Sequence, residues 1–597
     1  MAKTIFGTTE KSNFILNMDL DWYRKFCAKL LLIVLWATAA SQGLNQLTDA
    51  ANSSLNDTVH GGGIGALFAF FIVGLRSVAT IFSIGGVLAL IYAVVGLMRQ
   101  QWTKGTAVLY GITGVSLVWG IVSMMLAYDY STAVFGQDGR DEGWISLLMY
   151  GAMFFLGTML RRKDNQEKLL NGLLLYGIVQ CLWGILQAIP LLDYLNPNKG
   201  LNAYRNAEPM LIWNIRLPAG LTDSPVTFAM LLAMLLAVAI PAAFLGESQK
   251  TRIRGIVCAG LAMLIVFKTQ TIAGLIAGFG AILLTVVMLI CGRKARMRAK
   301  IAVPAVVLAA AALSIGWVYV TPSLNHTYYR PDKTTIKEPQ DGLTINAWET
   351  DNGDAEFPNG FTFPGVNEMT EGKSLYMLYD GGLIWDDGFY RLSTAGPYMR
   401  EDEKFNIYDA PSSLAYARRL GWDAVKIDPV FGVGPDNFSF TQLHNSMSVS
   451  THQNLVDRPY NDFIFIAATR GIPALLMHLA LIIGSLVLAF RKRKQMPCWV
   501  LAASASAVIL YCCTAMVGIS VLTVTPVFWV LLGVLAGDPL EGSAPAPVKA
   551  AAEPAASADN PPAEIPAEKE TVPQQPEKAP VQNAKSGGSS KKKKKKK

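Results

Sequence analysis

The chain has 597 residues, of which 52% are hydrophobic and only 16% are charged, and its formal net charge is +8. The mean hydropathy of +0.32 and the low charged fraction exclude an ordinary soluble globular protein and a wholly disordered one. The net charge does not indicate a nucleic-acid-binding protein, because a terminal lysine run and basic clusters between apolar segments account for almost all of it.

Residues 1–26 are polar, and the apolar run that follows has no small-residue cleavage site. We therefore predict a cytoplasmic N-terminal tail followed by an uncleaved signal anchor. Apolar runs then repeat along the chain, each near the length of about 20 residues that crosses a bilayer. Twelve membrane-spanning helices are predicted, at 27–46, 78–98, 106–127, 143–160, 169–191, 226–246, 255–268, 272–291, 300–320, 472–490, 498–517 and 519–536.

The seventh predicted span is short and ends at the polar stretch Lys268-Thr-Gln-Thr271. A polar stretch between two apolar runs indicates a connection and not the middle of one long helix. We expect a tight turn there, near the outer membrane surface.

Basic residues set the expected orientation, since cytoplasmic loops retain Lys and Arg. With twelve spans, every basic cluster falls on the same side of the membrane. The clusters are Arg24-Lys25, Arg161–Lys163, Lys250–Arg254, Arg293–Lys300, Arg491–Lys494 and Lys591–Lys597. We therefore predict a multi-pass protein of the cytoplasmic membrane with both termini in the cytoplasm.

A long polar segment follows the ninth predicted span. Residues 321–471 are predicted to form an extracytoplasmic loop domain of mixed secondary structure, which re-enters the membrane at its end. Predicted helices 1–9 (27–320) precede this domain, and predicted helices 10–12 (472–537) follow it. Residues 538–597 are rich in Ala, Pro, Glu and Lys and are predicted to be a disordered cytoplasmic tail. The fold class is an all-α polytopic membrane protein with one large external loop domain.

The first polar patch outside the predicted spans contains Arg216. This residue stands directly before the turn sequence Leu-Pro-Ala-Gly and shortly before the sixth span. An arginine held at the membrane surface by a rigid turn can bond two oxygens of a lipid phosphate with its planar fork. The alternative is an interfacial arginine that only extends its charge into water.

The second patch lies in the long loop. Tyr416–Trp422 is predicted to be helical and carries Arg418 and Arg419, and a glycine turn follows within Asp428–Phe438. The two arginines are candidate phosphate ligands. The glycines resemble a phosphate-cradling loop only superficially, because no complete nucleotide-binding motif surrounds them.

The third patch approaches the tenth span. It contains His444, His452 and the segment Asp457–Asp462, which includes Arg458. A histidine or aspartate beside an arginine at a lipid surface can supply a general base next to a phosphate-binding cation. The candidate bases are His444, His452 and Asp462. No H-E-x-x-H or Cys/His spacing is present, so we predict neither a metal nor a cofactor.

Three short motifs carry a family resemblance. They are R-R-L-G-W at 418–422, P-V-F-G-V-G-P-D-N-F at 429–438 and R-P-Y-N-D-F-I-F-I-A-A-T-R-G-I-P-A-L-L at 458–476. The chain also has twelve predicted spans, an Arg-Pro-Gly loop before the sixth span and a long loop between the ninth and tenth spans. With the three motifs, this order of parts resembles the O-antigen ligase and polymerase family of bacterial envelope enzymes. The resemblance covers about residues 25–535.

The resemblance implies transfer of a glycan from an undecaprenyl-diphosphate carrier to an acceptor hydroxyl on the outer face of the cytoplasmic membrane. It implies no nucleotide and no essential metal. The expected partners are the lipid-linked glycan donor, a glycan or other surface-molecule acceptor and membrane lipids, with no nucleic acid. By the same resemblance, Arg216 and one of Arg418 and Arg419 match arginines of the family, and Asn461 matches the asparagine of a His-Asn pair.

The position of the histidine in that pair is occupied by Tyr460. A phenol with a pKa of about 10 is a poor general base near neutral pH. Either His452 or His444 folds back into the site, or Asp462 serves as the base, or this chain does not catalyse the transfer.

Two other classes of function compete with a glycosyltransferase. A transporter or lipid-linked glycan flippase commonly shows internal repeats and ionisable residues deep in its spans. The sequence shows no repeating halves and few charges inside its spans. A non-catalytic membrane scaffold related to the ligases would explain Tyr460. Within the leading interpretation, ligase and polymerase differ only in the acceptor, and both stay open.

Overall fold

The computed structural model describes residues 19–55, 77–98, 104–137, 140–189, 217–292, 295–320, 411–441 and 458–538, with six short strands between 333 and 385. Arg216, His444 and His452 lie outside the described residues, as do most of the predicted loop domain and, beyond Asp538, the predicted tail. The roles of these three side chains therefore stay predictions.

The described part of the chain is dominated by fourteen α-helices. The helices are α1 Leu20–Leu55, α2 Val78–Met98, α3 Lys104–Met125, α4 Tyr130–Phe135, α5 Trp144–Thr158, α6 Lys163–Ala188, α7 Pro225–Leu245, α8 Gln249–Val266, α9 Ile272–Cys291, α10 Met297–Val320, α11 Pro411–Ile427, α12 Asp462–Arg491, α13 Cys498–Ala515 and α14 Thr525–Ala536. Nine of them are long and apolar enough to cross a membrane, so the protein is an α-helical multi-pass membrane protein. These nine are α1–α3, α6, α7, α9, α10, α12 and α13.

Three predicted spans coincide with helices that are not long or apolar enough to cross a membrane by themselves. Helices α5 and α14 have 15 and 12 residues. Helix α8 has 18 residues but carries Lys250, Arg252 and Arg254 in its first two turns. The count of twelve crossings therefore stays a prediction.

Several predicted boundaries differ from the observed ones. Helix α8 begins at Gln249 and not at 255, because the Ser248 hydroxyl caps it by accepting from Thr251 N at 3.0 Å. Helix α14 begins at Thr525 and not at 519, since the preceding chain forms a turn in which Val521 N donates to the Thr525 hydroxyl at 3.0 Å. Helix α12 is interrupted at Gly471, so its second part begins at the predicted 472, and a further helical segment, 462–470, precedes the break.

A tight turn joins α8 to α9, as the sequence predicted. A 3₁₀ helix at Phe267–Thr269 ends at Gln270, whose φ of 50° is left-handed, and the Thr271 hydroxyl then caps α9 by accepting from Gly274 N at 2.9 Å. Lys268 is 2% exposed in this turn, with its ammonium group 5.8 Å from the centre of the Trp317 ring. The turn therefore holds a buried lysine.

Helix α7 forms the centre of the bundle. It is apolar all round and packs against α6, α8, α9, α10 and α13, as expected for a helix without a solvent-facing side. Its start is fixed by Ser224, which exchanges hydrogen bonds with Thr227 in a capping box, and by Pro225 in the first turn. This helix start is placed beside the candidate site described below.

Four connections meet at one end of the bundle: α3–α5, α6–α7, α11–α12 and α13–α14. Arg458 Nη1 lies 3.1 Å from Glu142 Oε2 and donates to Ser520 O at 2.8 Å, and the Thr523 hydroxyl donates to Asp223 at 3.1 Å. An even number of predicted spans separates any two of these connections, as is required if they lie on one side of a membrane. We call this end the acidic end, after Glu142, Asp223, Asp436 and Asp462.

Basic side chains meet at the opposite end. Arg162 pairs with Asp21 at 2.7 Å, and the Arg161 Nε donates to Asp538 O at 2.9 Å. Lys492 also pairs with Asp538. Because Glu142 precedes α5 and Arg161 follows it, this short helix runs from the acidic end to the basic end.

Short strands lie in the segment predicted to be the loop domain. Strands β1 Lys333–Lys337, β2 Thr344–Glu349, β3 Ala355–Glu356 and β4 Thr362–Phe363 pair antiparallel in that order, and β5 Tyr376–Tyr379 pairs with β6 Gly382–Trp385. The register sets Lys333 opposite Trp348 and Tyr376 opposite Trp385. The loop as a folded domain stays a prediction.

Candidate functional site

Helix α12 is broken at Gly471, where φ is 80° and ψ is 166°. The break leaves the last carbonyls of the segment 462–470 without helical partners, and an unpaired buried carbonyl is costly. Neighbouring elements supply donors: Val433 N lies 3.0 Å from Ala468 O, Gly434 N 2.9 Å from Thr469 O, and Trp119 Nε1 3.1 Å from Arg470 O. The segment 462–470 is therefore held in a fixed position at the acidic end.

The glycine turn of the second sequence patch is what makes this contact. Gly432 and Gly434 have φ of 71° and 105°, in the region that favours glycine. A Cβ on Gly432 would lie 2.4 Å from Arg470 N, and one on Gly434 would lie 2.3 Å from the Ala127 Cβ. Backbone packing accounts for both glycines without a nucleotide.

Replacement of Gly432 by Ala is expected to destabilise the protein by at least about 1 kcal/mol, because the new Cβ meets backbone and the left-handed conformation is unfavourable for alanine. Thermal unfolding in detergent micelles measures the effect. Gly111→Ala is the matched control, since a Cβ there meets nothing within 4 Å. Equal stability of the two variants would contradict the packing described here.

Arg458 is the centre of a buried ionic network and is 1% exposed. Its guanidinium lies 3.1 Å from Glu142 and 3.0 Å from Asp436, and donates to Ser520 O at 2.8 Å. Its plane covers the Phe465 ring at 4.6 Å. These contacts join three connections of the acidic end, so in this structure Arg458 positions the site.

The two carboxylates around Arg458 have further donors. Glu142 accepts from the hydroxyl groups of Tyr150, at 2.7 Å, and of Ser520. Asp436 accepts from Gln137 N at 2.8 Å, and burial raises its pKa above the ordinary value against the opposing effect of Arg458. Both side chains are thus engaged with protein groups.

A small cavity opens beside this network. Its volume is about 40 Å³, which gives room for one to about three water molecules. The charged groups on its wall come from Glu142, Asp436, Asp462 and Arg470. Its other polar side chains include those of Tyr150, Thr469, His478, Ser520 and Thr525. The cavity therefore accommodates water or a hydroxyl group.

Two of the cavity residues have few partners. Asp462 is 7% exposed and lies near the Ser520 hydroxyl, whose single proton is donated to Glu142. Arg470 is attracted by Asp462 and Glu142, but it forms no ion pair with any residue in the described ranges. A carboxylate and a guanidinium that form no ion pair with another described residue are the groups that can act on a bound molecule.

Backbone strain is concentrated around the same network. Among the described residues four other than glycine have positive φ, and three of them adjoin it: Asp141 at 56°, Asp436 at 54° and Tyr460 at 46°. Such conformations cost about 1–3 kcal/mol each and cluster at functional sites. The strain supports the assignment of this region as the candidate site.

The remaining predicted site residues lie outside the cavity. Asn461 caps α12, its side-chain oxygen accepting from Phe463 N at 3.1 Å and Ile464 N at 3.2 Å. Tyr460 packs among apolar residues at the same helix start. Arg418 donates to Met516 O at 2.9 Å, and Arg419 is exposed on α11. The structure thus brings Arg458 and Asp462 together and leaves Arg418 and Arg419 apart from them.

The turn directly after Arg216 is held by glutamines. Gln187 Oε1 accepts from Ala219 N at 2.9 Å and Gly220 N at 2.7 Å, and Gln46 donates to Gly220 O at 2.9 Å. Gly220 has a φ of 58°, and a Cβ on it would lie 2.4 Å from the Phe228 ring. The turn is therefore rigid, as the prediction for Arg216 requires. Asp223 lies at the end of this turn, and burial raises the pKa of its carboxyl group.

Sequence reasoning missed Glu142, Asp223 and Arg470. Arg470 stands within the third motif, and its position before a Gly-x-Pro sequence was a signal of a helix break. Glu142 and Asp223 lie in short connections without any motif, so their role follows only from their partners at the acidic end.

Comparison with known proteins adds no family to these observations. No protein-family model matches the chain, and no curated protein matches it as a relative. Among the described residues, no group of three or more His, Cys, Asp or Glu side chains is arranged to hold a metal ion.

Proposed function

We propose that this protein is a membrane glycosyltransferase of the O-antigen ligase or polymerase type. It transfers a glycan from an undecaprenyl-diphosphate carrier to an acceptor hydroxyl on the outer face of the cytoplasmic membrane. The observation that carries the proposal is the acidic end, where three of the four connections of a multi-pass bundle line a small cavity. Buried carboxylates and Arg470 are on its wall, and the Arg458 network lies beside it. In the cell, the acidic end and the long loop face outward and both termini face the cytoplasm.

Asp462 is the general base of this proposal. The acceptor oxygen bonds to the anomeric carbon of the donor sugar while the bond from that carbon to the diphosphate breaks, and the acceptor proton passes to the Asp462 carboxylate. Glu142 and Asp436 are occupied by Arg458 and hydroxyl or amide donors, whereas Asp462 forms no ion pair with another described residue. Tyr460 contributes to packing and not to proton transfer.

The leaving diphosphate needs positive charge that is not already paired. Both Nη atoms of Arg458 are engaged by protein acceptors, so Arg470 and the predicted Arg216 are assigned to this task. Arg418 and Arg419 remain candidates for contacts with more distant parts of the donor. Because carboxylates outnumber arginines on the cavity wall, the acceptor hydroxyl occupies the cavity and the diphosphate binds at its rim.

The broken helix α12 favours a second candidate, a transporter or flippase for lipid-linked glycans. Helices interrupted beside buried ionisable groups are typical of transporters, and α12 has such an interruption next to Asp462 and Arg470. A non-catalytic scaffold is the third candidate. A transporter and a scaffold would both differ from the transferase in forming no new glycosidic bond.

The test is a reconstituted assay with purified protein in lipid vesicles, an undecaprenyl-diphosphate oligosaccharide and EDTA. We expect glycan transfer that is lost in Arg216→Ala and Arg470→Ala and retained in Arg491→Ala, a control at the other end of α12. A ladder of longer lipid-linked glycans identifies a polymerase, and single transfer to an added acceptor identifies a ligase. Binding or translocation of the donor without a product contradicts the proposal.

A further inference from the structure

Helix α11 has one face on the bundle and another that is exposed. Ala417, Gly421 and Ala424 are buried, and a Cβ on Gly421 would lie 2.6 Å from the Ile464 side chain of α12. The exposed face carries Trp422, which is 52% exposed, and beside it Arg419, Asp423 and Lys426 at helical spacing. An exposed tryptophan flanked by cations requires an explanation.

The membrane boundary can be placed on α12. The part after the break, Ile472–Arg491, has the length of about 30 Å that crosses the hydrocarbon layer. Large apolar side chains are exposed along one side of it, and this stripe faces lipid; they are Ile472, Leu476, Ile483, Val487 and Phe490. One edge of the hydrocarbon layer therefore lies at Ile472.

The end of α11 lies at this edge. Ile472 N donates to Pro429 O at 2.9 Å, and a Cβ on Gly471 would overlap Val430 O. Ile427 and Val430 are 41% and 45% exposed. The exposed apolar surface thus continues from the lipid-facing stripe of α12 onto α11.

The charges on the exposed face match a lipid surface. Lys426 pairs with Asp423 at 2.8 Å, and Arg419 forms no ion pair with another described residue, so Arg419 supplies the positive charge of this face. Tryptophan and basic residues together are characteristic of helices that lie in the headgroup region of a bilayer.

We propose that the outer face of α11 lies in the membrane interface, with Trp422, Ile427 and Val430 at the acyl-chain boundary and Arg419 on the phosphate groups of anionic phospholipids. Helix α11 thereby holds the glycine turn 428–434, and with it the broken segment of α12, at a fixed depth. The proposal rests on the multi-pass architecture and not on the proposed enzymatic function.

Tryptophan quenching in proteoliposomes tests the depth. The chain has 13 tryptophans, so the emission of Trp422 is taken as the difference between the unsubstituted protein and Trp422→Phe. We expect phospholipids brominated near the headgroup to remove most of this difference emission, and aqueous iodide to leave it. Trp499→Phe is the control, because Trp499 is 1% exposed and its difference emission should respond to neither quencher.

The headgroup preference is tested in mixed vesicles in which either phosphatidylglycerol or phosphatidylcholine carries the bromine. We expect brominated phosphatidylglycerol to quench Trp422 more strongly at equal mole fraction, and Arg419→Gln to abolish the difference. Quenching by iodide and not by lipid would overturn the proposal and indicate a water-facing surface. Equal quenching by both lipids, or a preference that survives in Arg419→Gln, would overturn the role of Arg419.

Discussion

Asp462→Asn is expected to lower the rate of glycan transfer by about 100- to 10,000-fold, which is the range that general acid–base catalysis contributes. The amide has nearly the shape of the carboxylate, so the contact with Ser520 and the start of α12 are retained. The measurement is kcat for transfer in proteoliposomes at saturating donor. The affinity for the lipid-linked donor should change little, because the diphosphate is assigned to Arg470 and Arg216.

Asp423→Asn is the matched control for this loss. It removes an exposed carboxylate of α11 whose ion-pair partner in the described ranges is Lys426, and it should leave kcat unchanged. If Asp462→Asn keeps full activity, then Asp462 is not the base, and the predicted histidines His444 and His452 become the candidates. Glu142 is a poorer candidate because three protein donors already bind its carboxylate.

Arg458→Ala is expected to destabilise the fold by about 3–5 kcal/mol, because it leaves buried carboxylates unpaired. Glu142 and Asp436 both depend on this guanidinium, at 3.1 and 3.0 Å, and neither has another cation that forms an ion pair with it among the described residues. Unfolding in detergent, followed by denaturant or temperature, measures the loss. Arg458→Lys should recover only part of it, since an ammonium group lacks the planar fork that reaches both acids.

Arg419→Ala is the control, and its effect should stay within about 0.5 kcal/mol, as for exposed substitutions without structural contacts. A further variant separates charge from packing: adding Glu142→Gln and Asp436→Asn to Arg458→Ala should restore part of the stability, because the buried charges are then gone. If Arg458→Ala unfolds like the unsubstituted protein, the network does not hold the acidic end together.

The structure places Arg458 in a buried ionic network, and its predicted role as a phosphate ligand stays a prediction. The sequence showed an arginine near a membrane helix, which predicted a phosphate ligand. The structure surrounds it with Glu142, Asp436, Ser520 and Phe465. Arg470 has no ion pair among the described residues and lines the cavity, so it is the arginine that suits a diphosphate in this region.

The sequence by itself determined the class of architecture and most of the helices. The predicted spans 78–98 and 272–291 coincide with α2 and α9 to the residue, because membrane helices are specified locally, by an unbroken apolar run that must satisfy its own backbone. The tight turn at Lys268 was equally readable from its polar residues. Asp462 was identified as a candidate because it stands beside an apolar run in a polar patch.

Only the tertiary structure decided which polar residues form the site. Arg458 and Glu142 are 316 positions apart, and Thr523 and Asp223 are 300 apart. No local pattern specifies such pairs, because the burial of a charge depends on which connections the helix packing brings to one end of the bundle. Arg458 and Arg470 can be told apart only in the same way. They stand in one sequence motif, and only their surroundings in the fold show that Arg458 already has ion-pair partners.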